Sequence, residues 1–425
     1  MVDSHSTPLR GTITIPGDKS ISHRSIIFGA ISSGTTTVSH FLKSADCLST
    51  MQVFRDLGVN IQEDDDQVQI KGLGLTGLQE PTVDLDMGNS GTSTRLISGL
   101  LAGQPFASRM VGDASLSKRP MGRVIDPLTE MGATFDSDDR HLPMTVHGGH
   151  LQGMRYRLPV ASAQVKSAVI LAALQAEGPT VIEEPSPSRD HTERMLQTFS
   201  PQSISRTAHE ITITPGQPFA GQAIIVPGDI SSAAFWLVAG AIVPGSEITI
   251  KNVGINPTRT GILNVLDRMG AQVTQTNHQD QVEPSADLTV TFSDLQPFEV
   301  GAEEIPGLVD EVPLLALLAA RANGISKITG AEELRFKESD RLQVVTQEFK
   351  KLGIQIEELP DGLVIDGRQP WHLEDANLDS HDDHRIAMTL KIASLLVDKP
   401  VNIKNFEAVN ISYPTFMTDL EHLRK

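Results

Sequence analysis

The sequence predicts an α/β chain of two domains, each assembled from three small modules in which strands and helices alternate. Three observations predict it. A loose pattern of strand, Gly/Pro/Asp/Ser turn, small-residue helix, strand and second helix recurs about every 70 residues, longer than solenoid repeats. The chain has 425 residues, too many for one ordinary core. Its apolar segments, the best being Ser231–Val243 and Val312–Ala320, are too short to span a membrane and read as buried helices.

The modules follow in order. The first runs from Thr12-Ile13-Thr14-Ile15 through Pro16-Gly17-Asp18-Lys19-Ser20 and closes at Asp56-Leu57-Gly58. The second opens at Leu85-Asp86-Met87-Gly88-Asn89-Ser90-Gly91 and closes at Met131-Gly132-Ala133. The third opens at Leu158-Pro159-Val160-Ala161-Ser162. The fourth opens at Ile225-Val226-Pro227-Gly228-Asp229 and closes at Met269-Gly270-Ala271. The fifth opens near Val309-Asp310-Glu311 and closes at Leu352-Gly353, and the sixth opens at Leu378-Asp379-Ser380. Six modules divide into two sets of three, giving one domain over residues 17–228 and another over 1–16 with 229–425. The crossings fall at Gly17 and Gly228, whose backbone freedom suits a hinge. Each first helix starts at Ser, Asp, Gly or Asn, the N-cap residues, so its first-turn N–H groups are available there. If the modules share an orientation, six positive helix ends converge on one cleft, which suits a phosphate- or carboxylate-bearing substrate.

The net charge of −18 disfavours a nucleic-acid partner. It leaves room for small anions, because a local group of cations can dominate a cleft. One cysteine, Cys47, excludes an intrachain disulfide and fits a reducing compartment. Met1–Arg10 lacks the apolar stretch of a secretory signal, so a cytoplasmic protein is expected.

Candidate anion contacts come in clusters. Lys19, Ser20 and Arg24 combine a cation at a turn with a hydroxyl and a forked guanidinium four residues apart; a capped helix with surface charges is the plainer alternative. Asn89 and Gly91 stand at a second polar helix entrance, where glycine permits close approach of a ligand. Arg119 lies in a basic loop, Ser162 and Gln164 at the start of an apolar helix, and Arg189 in another loop. Asp310 precedes a nearly all-apolar helix; beside a desolvated wall it suits a general base, although it can equally be a helix cap. Lys337 and Arg341 are spaced to share a helical face with Glu338 adjacent, an anion site holding an acid/base group. The run His381-Asp382-Asp383-His384-Arg385 matches no metal-ligand spacing, and Arg385 as an anion clamp is the simpler reading. Gly72-Leu73-Gly74-Leu75-Thr76-Gly77 spells a dinucleotide fingerprint but runs into Pro81 rather than a helix, so it reads as a turn between strands.

Taken together, Gly17-Asp18-Lys19-Ser20-Ile21-Ser22-His23-Arg24, Gly88-Asn89-Ser90-Gly91-Thr92, Lys118-Arg119-Pro120-Met121, Ser162-Ala163-Gln164-Val165-Lys166-Ser167, Lys337-Glu338-Ser339-Asp340-Arg341 and Asp383-His384-Arg385-Ile386-Ala387-Met388 resemble the EPSP synthase family of enolpyruvyl transferases across essentially the whole chain. The resemblance implies a two-domain inside-out α/β barrel of six βαβαββ repeats, with the active site between the domains. It implies transfer of the carboxyvinyl group of phosphoenolpyruvate to shikimate 3-phosphate, in aromatic amino-acid biosynthesis, by a monomer needing no metal or organic cofactor, nucleic acid or membrane. By matching position, Ser20, Arg24, Ser162, Gln164, Arg189 and Lys337 fall to shikimate 3-phosphate. Lys19, Gly91, Arg119, Gln164, Arg341 and Arg385 fall to phosphoenolpyruvate, and Asn89, Ala163, Asp310 and His384 are further substrate contacts. Asp310 resembles the acceptor of the hydroxyl proton, and Glu338 the group that serves the vinyl carbon. The chain departs from the family pattern at Ala163 (often serine), Glu333 (often asparagine) and Arg189 (near a tyrosine in others), and no lysine stands near Asn410–Pro414. The sister family acting on UDP-N-acetylglucosamine is the alternative. It usually carries a cysteine before its Arg-Pro, and Asp113–Arg119 has none. A catalytically silent relative would be free to lose Asp310, Lys337 or Glu338, and all three are present.

Overall fold

A computed structural model describes residues 7–64, 67–279 and 282–425. The first six residues, part of the segment read as lacking a signal, lie outside the described residues. The chain divides into two compact units: Gly17–Val226, and Pro227–Lys425 together with the segment ending at Pro16. Each has its own hydrophobic core.

In the Gly17–Val226 unit the helices alternate in pairs: α1 Lys19–Ile31 and α2 Ala45–Asp56, α3 Gly91–Leu101 and α4 Gly122–Glu130, α5 Ala163–Ala173 and α6 His191–Phe199. The other unit continues with α7 Ile230–Ile242 and α8 Gly261–Arg268, α9 Val312–Ala319 and α10 Arg341–Lys351, α11 His384–Ala393 and α12 Phe416–Leu423. The first helix of each pair is buried nearly all round; every residue of α7 and α9 is buried. Second helices such as α4 and α8 bury only one stripe. A helix apolar on all sides can be stable only inside a core, whereas a striped one belongs at the surface.

The sheets lie outside these helices. Strand Gln67–Leu73 alternates exposed and buried over its first five residues, and the start of Glu247–Gly254 alternates buried with less buried positions, the pattern of a sheet with one face toward water. Five sheets have four strands and share one plan. Arg155–Arg157, Thr180–Glu183, Glu210–Ile213 and Ile204–Arg206, for instance, pair parallel, antiparallel and antiparallel in that order. With helices inside and sheets outside, each unit is an inside-out α/β arrangement of βαβαββ modules. The sixth module differs from expectation: among the described residues it keeps only the parallel pair Asn377–Asp379 and Asn402–Lys404.

The opening strands of modules one and four are exchanged. Arg10–Thr14, which precedes α1 in sequence, pairs parallel with Glu247–Gly254 of the fourth module. Ala223–Ile225, which precedes α7, pairs parallel with Ser33–Ser39 of the first. A parallel edge strand needs only a neighbour with matching register and a buried face, so sequence adjacency to its helix does not decide its sheet. Gly17 and Gly228 also serve differently from the backbone-freedom argument. Neither has a positive φ. A Cβ on Gly17 would stand 2.2 Å from the His40 carbonyl oxygen, and one on Gly228 2.7 Å from Ile15 Cγ1, so glycine is required for close packing. The Gly72–Gly77 segment ends a strand in a turn, as expected, with Gly74 at φ +78°. Among the described residues no helix is long and apolar enough to cross a membrane.

Candidate functional site

In the Gly17–Val226 unit the N-terminal turns of α1, α3 and α5 are tied together. Asp18, Ser90 and Ser162 cap them, accepting the N–H of Ile21, Ser93 and Val165; each such cap stabilises a helix by about 1 kcal/mol. Arg24 is buried in α1. Its Nη1 donates to the Ser20 carbonyl at 2.9 Å, its Nε to Thr192 Oγ1 of α6 at 2.7 Å, and its Nη2 to Ser167 Oγ of α5 at 3.1 Å. Arg24, holding the Ser20 carbonyl, is thus brought beside the N-terminal halves of α5 and α6. Arg189 is half-buried, one residue before Asp190, the N-cap position of α6. Lys19 pairs with Asp46 at the start of α2, a partner that the sequence reading missed.

Gln164 bridges α5 to α3: Arg95 Nη1 donates to its Oε1 at 2.7 Å, and its Nε2 donates to Thr92 Oγ1 at 3.1 Å. Arg119 is held at the start of α3, donating to Asn89 Oδ1 at 2.7 Å, while Asn89 Nδ2 donates to Asp113 Oδ2 at 2.6 Å. A Cβ on Gly91 would lie 2.9 Å from Arg95 Nη1 and 3.6 Å from Arg119 Nη1. Glycine therefore lets a ligand approach the backbone at the start of this turn beside two guanidiniums, a setting for an anion. Ala163 is the first residue of α5 and offers only its backbone; its carbonyl accepts from Ser167 Oγ at 2.6 Å.

In the Pro227–Lys425 unit the second cluster centres on Arg341, whose side chain is 2% exposed. Its Nε donates to Asp383 Oδ2 at 2.8 Å and its Nη2 to Glu338 Oε2 at 2.7 Å, and Nη1 lies 3.7 Å from Asp310 Oδ1. Burial works against the Arg341 charge, but the carboxylates of Asp383, Glu338 and Asp310 outweigh it and raise its pKa above the ordinary arginine value. Nη1 makes no hydrogen bond and is buried, leaving a donor for a ligand. Arg385 approaches the same carboxylate, with Nε 3.6 Å from Asp310 Oδ1 and Nη1 donating to the Asp310 carbonyl at 3.4 Å. Asp383 also caps α11, accepting the Arg385 N–H at 2.9 Å. His384, the first residue of α11, is buried.

Three expectations need correction. Lys337, Glu338 and Arg341 do not share a helical face: α10 starts at Arg341 with Asp340 as its cap, and Lys337–Ser339 form a bend after the 3-10 turn Glu332–Phe336. Asp340's side chain accepts from the Gln343 N–H, and this cap stops the helix from running back to Lys337. Lys337 instead donates to Glu333 Oε1 at 3.0 Å. Asp310 is not a helix cap, since Glu311 holds that position in α9 without a side-chain cap bond. Nor does Asp310 face a bare apolar wall; it faces two guanidiniums.

The sequence profile of EPSP synthase (3-phosphoshikimate 1-carboxyvinyltransferase) matches residues 4–420. The chain belongs to the EPSP synthase family. It is similar to the 3-phosphoshikimate 1-carboxyvinyltransferase of Lactiplantibacillus plantarum, 54% identical over 98% of this chain and 96% of the relative. It is similar also to that of Bacillus velezensis, 51% identical over 99% and 98%. The solved EPSP synthase from Acinetobacter baumannii superposes with a TM-score of 0.88 at 44% identity, over 98% of this chain and 97% of that one. The enolpyruvyl transferase NikO from Streptomyces tendae, at 19% identity and a TM-score of 0.80, shares the fold. The resemblance read from the six motifs, and the fold it implied, are therefore borne out. The residues that were given no site role are supports: Asp46 behind Lys19, Thr192 and Ser167 behind Arg24, and Asp383 behind Arg341. Ser167 and Asp383 lie within motif phrases, whereas Asp46 and Thr192 carried no sequence signal.

Proposed function

We propose that a single copy of the chain transfers the carboxyvinyl group of phosphoenolpyruvate to the 5-hydroxyl of shikimate 3-phosphate, releasing phosphate, with both clusters acting on one pair of substrates. The observation that carries this reading is the grouping of Asp310, Glu338, Arg341 and Arg385, in which two carboxylates capable of proton transfer stand beside two cations for an anionic acid. Ser20, Arg24, Ser162, Gln164, Arg189 and Lys337 bind the sugar phosphate. Lys19, Gly91, Arg119, Gln164, Arg341 and Arg385 bind phosphoenolpyruvate, and Asn89, Ala163 and His384 line the same substrates.

Glu338, as the acid, gives its proton to C3 of phosphoenolpyruvate, and C2 becomes cationic in character. The acceptor hydroxyl adds at C2 as Asp310 takes its proton. In the tetrahedral intermediate Glu338, now a carboxylate, removes a proton from C3, and the C2–O bond to phosphate breaks. Lys19 and the arginines balance the charge that develops on phosphate and carboxylate. The chemistry needs no cofactor.

Phosphate release is to be measured with phosphoenolpyruvate and either shikimate 3-phosphate or UDP-N-acetylglucosamine. Turnover with the first acceptor alone is expected. Asp310→Ala and Glu338→Ala should each lower kcat by about 100-fold or more in a folded protein, the scale of a lost general acid or base. Near-normal turnover in either variant removes that residue from its role, and turnover with the sugar nucleotide alone overturns the substrate assignment.

A further inference from the structure

A buried polar relay lies next to Asp310 and outside both clusters. Asp229, Ser231, Arg259 and Glu311 are all buried. Arg259 Nη2 donates to Ser231 Oγ at 2.8 Å and to Asp229 Oδ1 at 3.0 Å. Asp229 Oδ1 also accepts the Ser231 N–H at 2.9 Å, capping α7. A guanidinium has only donors, so Ser231 Oγ accepts from it and spends its own proton elsewhere. That proton goes to Glu311 Oε1. The relay therefore runs in one direction, from Arg259 through Ser231 to Glu311.

Glu311 occupies the N-cap position of α9, yet its side chain makes no cap bond; it is anchored to α7 instead. Its backbone is fixed as well, with its N–H on the Leu308 carbonyl at 2.8 Å and its carbonyl accepting from Leu315 at 2.9 Å. The residue before it is Asp310. The two repeats of the helix-start phrase show how the roles diverged. In Pro16-Gly17-Asp18-Lys19-Ser20 a cation precedes the serine, whereas in Pro227-Gly228-Asp229-Ile230-Ser231 an isoleucine does, and that serine is turned inward to a buried carboxylate.

We infer that the Arg259–Ser231–Glu311 relay is a positioning device for the reaction: it fixes the Asp310–Glu311 peptide so that the Asp310 carboxylate is held where it can take the acceptor's proton. This rests on the reading of Asp310 as the base. Ser231→Ala in the full chain should lower kcat about 10- to 100-fold, the cost of a reacting group displaced by an ångström or less, with KM for both substrates changed less than about twofold. Glu311→Gln, which keeps an acceptor oxygen for Ser231, should stay within about threefold of the parent kcat, while Glu311→Ala should match Ser231→Ala. A double-mutant cycle with Asp310→Asn, read by single-turnover phosphate release, separates positioning from general loosening, because a group acting through Asp310 costs nothing further once Asp310 is disabled. Parent-like kcat in Ser231→Ala, or losses that multiply in the double variant, overturns the relay while leaving Asp310 as base. Parent-like turnover in Asp310→Asn alone overturns the base and the relay with it.

Discussion

Asp383→Asn is an isosteric change with a large expected effect. Asp383 is fully buried, and its carboxylate accepts Arg341 Nε at 2.8 Å, Ser339 Oγ at 3.1 Å and the Arg385 N–H at 2.9 Å. An asparagine has one acceptor oxygen. If that oxygen keeps the α11 cap, its NH2 group faces the buried Arg341 Nε–H, donor against donor. Breaking one side of a buried ion pair costs about 3–5 kcal/mol, and the remaining pairing of Arg341 with Glu338 and Asp310 places this case near the lower end. For a unit of roughly 200 residues, about 3 kcal/mol corresponds to a fall in Tm of about 6–12 °C. With Asp383 neutral, Arg341 is drawn more strongly to Glu338, so kcat should fall and KM for phosphoenolpyruvate should rise. Calorimetry and initial-rate kinetics on the same preparation test this. A transition within about 2 °C of the parent together with unchanged KM would refute the assignment of Asp383 as the anchor of Arg341, since a lost buried pair cannot be that cheap.

Gly91→Ala should leave stability unchanged or slightly raised, because alanine is about 1 kcal/mol better than glycine in a helix. Its methyl would displace the Arg95 guanidinium and crowd Arg119, so KM for phosphoenolpyruvate should rise in steady-state assays. Glyphosate should compete with phosphoenolpyruvate in the parent protein, and full turnover at millimolar glyphosate would contradict this. His23 is buried, and burial, then the Lys19 and Arg24 charges, lowers its pKa from an ordinary 6.5 to about 3. The unfolded chain thus binds a proton below pH 6.5 that the folded one refuses until about pH 3. Stability should fall as the pH is lowered across that window, by up to about 1.4 kcal/mol per unit from this group, and His23→Gln should flatten the slope in urea titrations. Burial pushes the Cys47 thiol up to about 12, so labelling by a thiol reagent at neutral pH should track global unfolding.

Much of the site was legible because its residues follow local rules. Asp18, Ser90, Ser162, Asp229 and Asp383 cap their helices as their residue types predict, and the small, apolar sequences of α7 and α9 announce burial. Lys337 shows where local reading fails. Its spacing from Arg341 fits a helix face, but the side chain of Asp340 closes the helix first, a competition that periodicity does not record.

The sequence by itself determined the modular α/β character, several of the helix starts, the buried helices and the family. Those depend on periodicity, capping and motif phrases that act within a few residues. Only the tertiary structure decided which sheet the strands Arg10–Thr14 and Ala223–Ile225 join, which carboxylates balance Lys19 and Arg341, and that Ser231 faces inward to Glu311. Apart from the local Arg341–Glu338 pair, such choices are made between groups tens or hundreds of residues apart, where burial strips away water and leaves each charge and donor dependent on whichever partner the packing brings within reach.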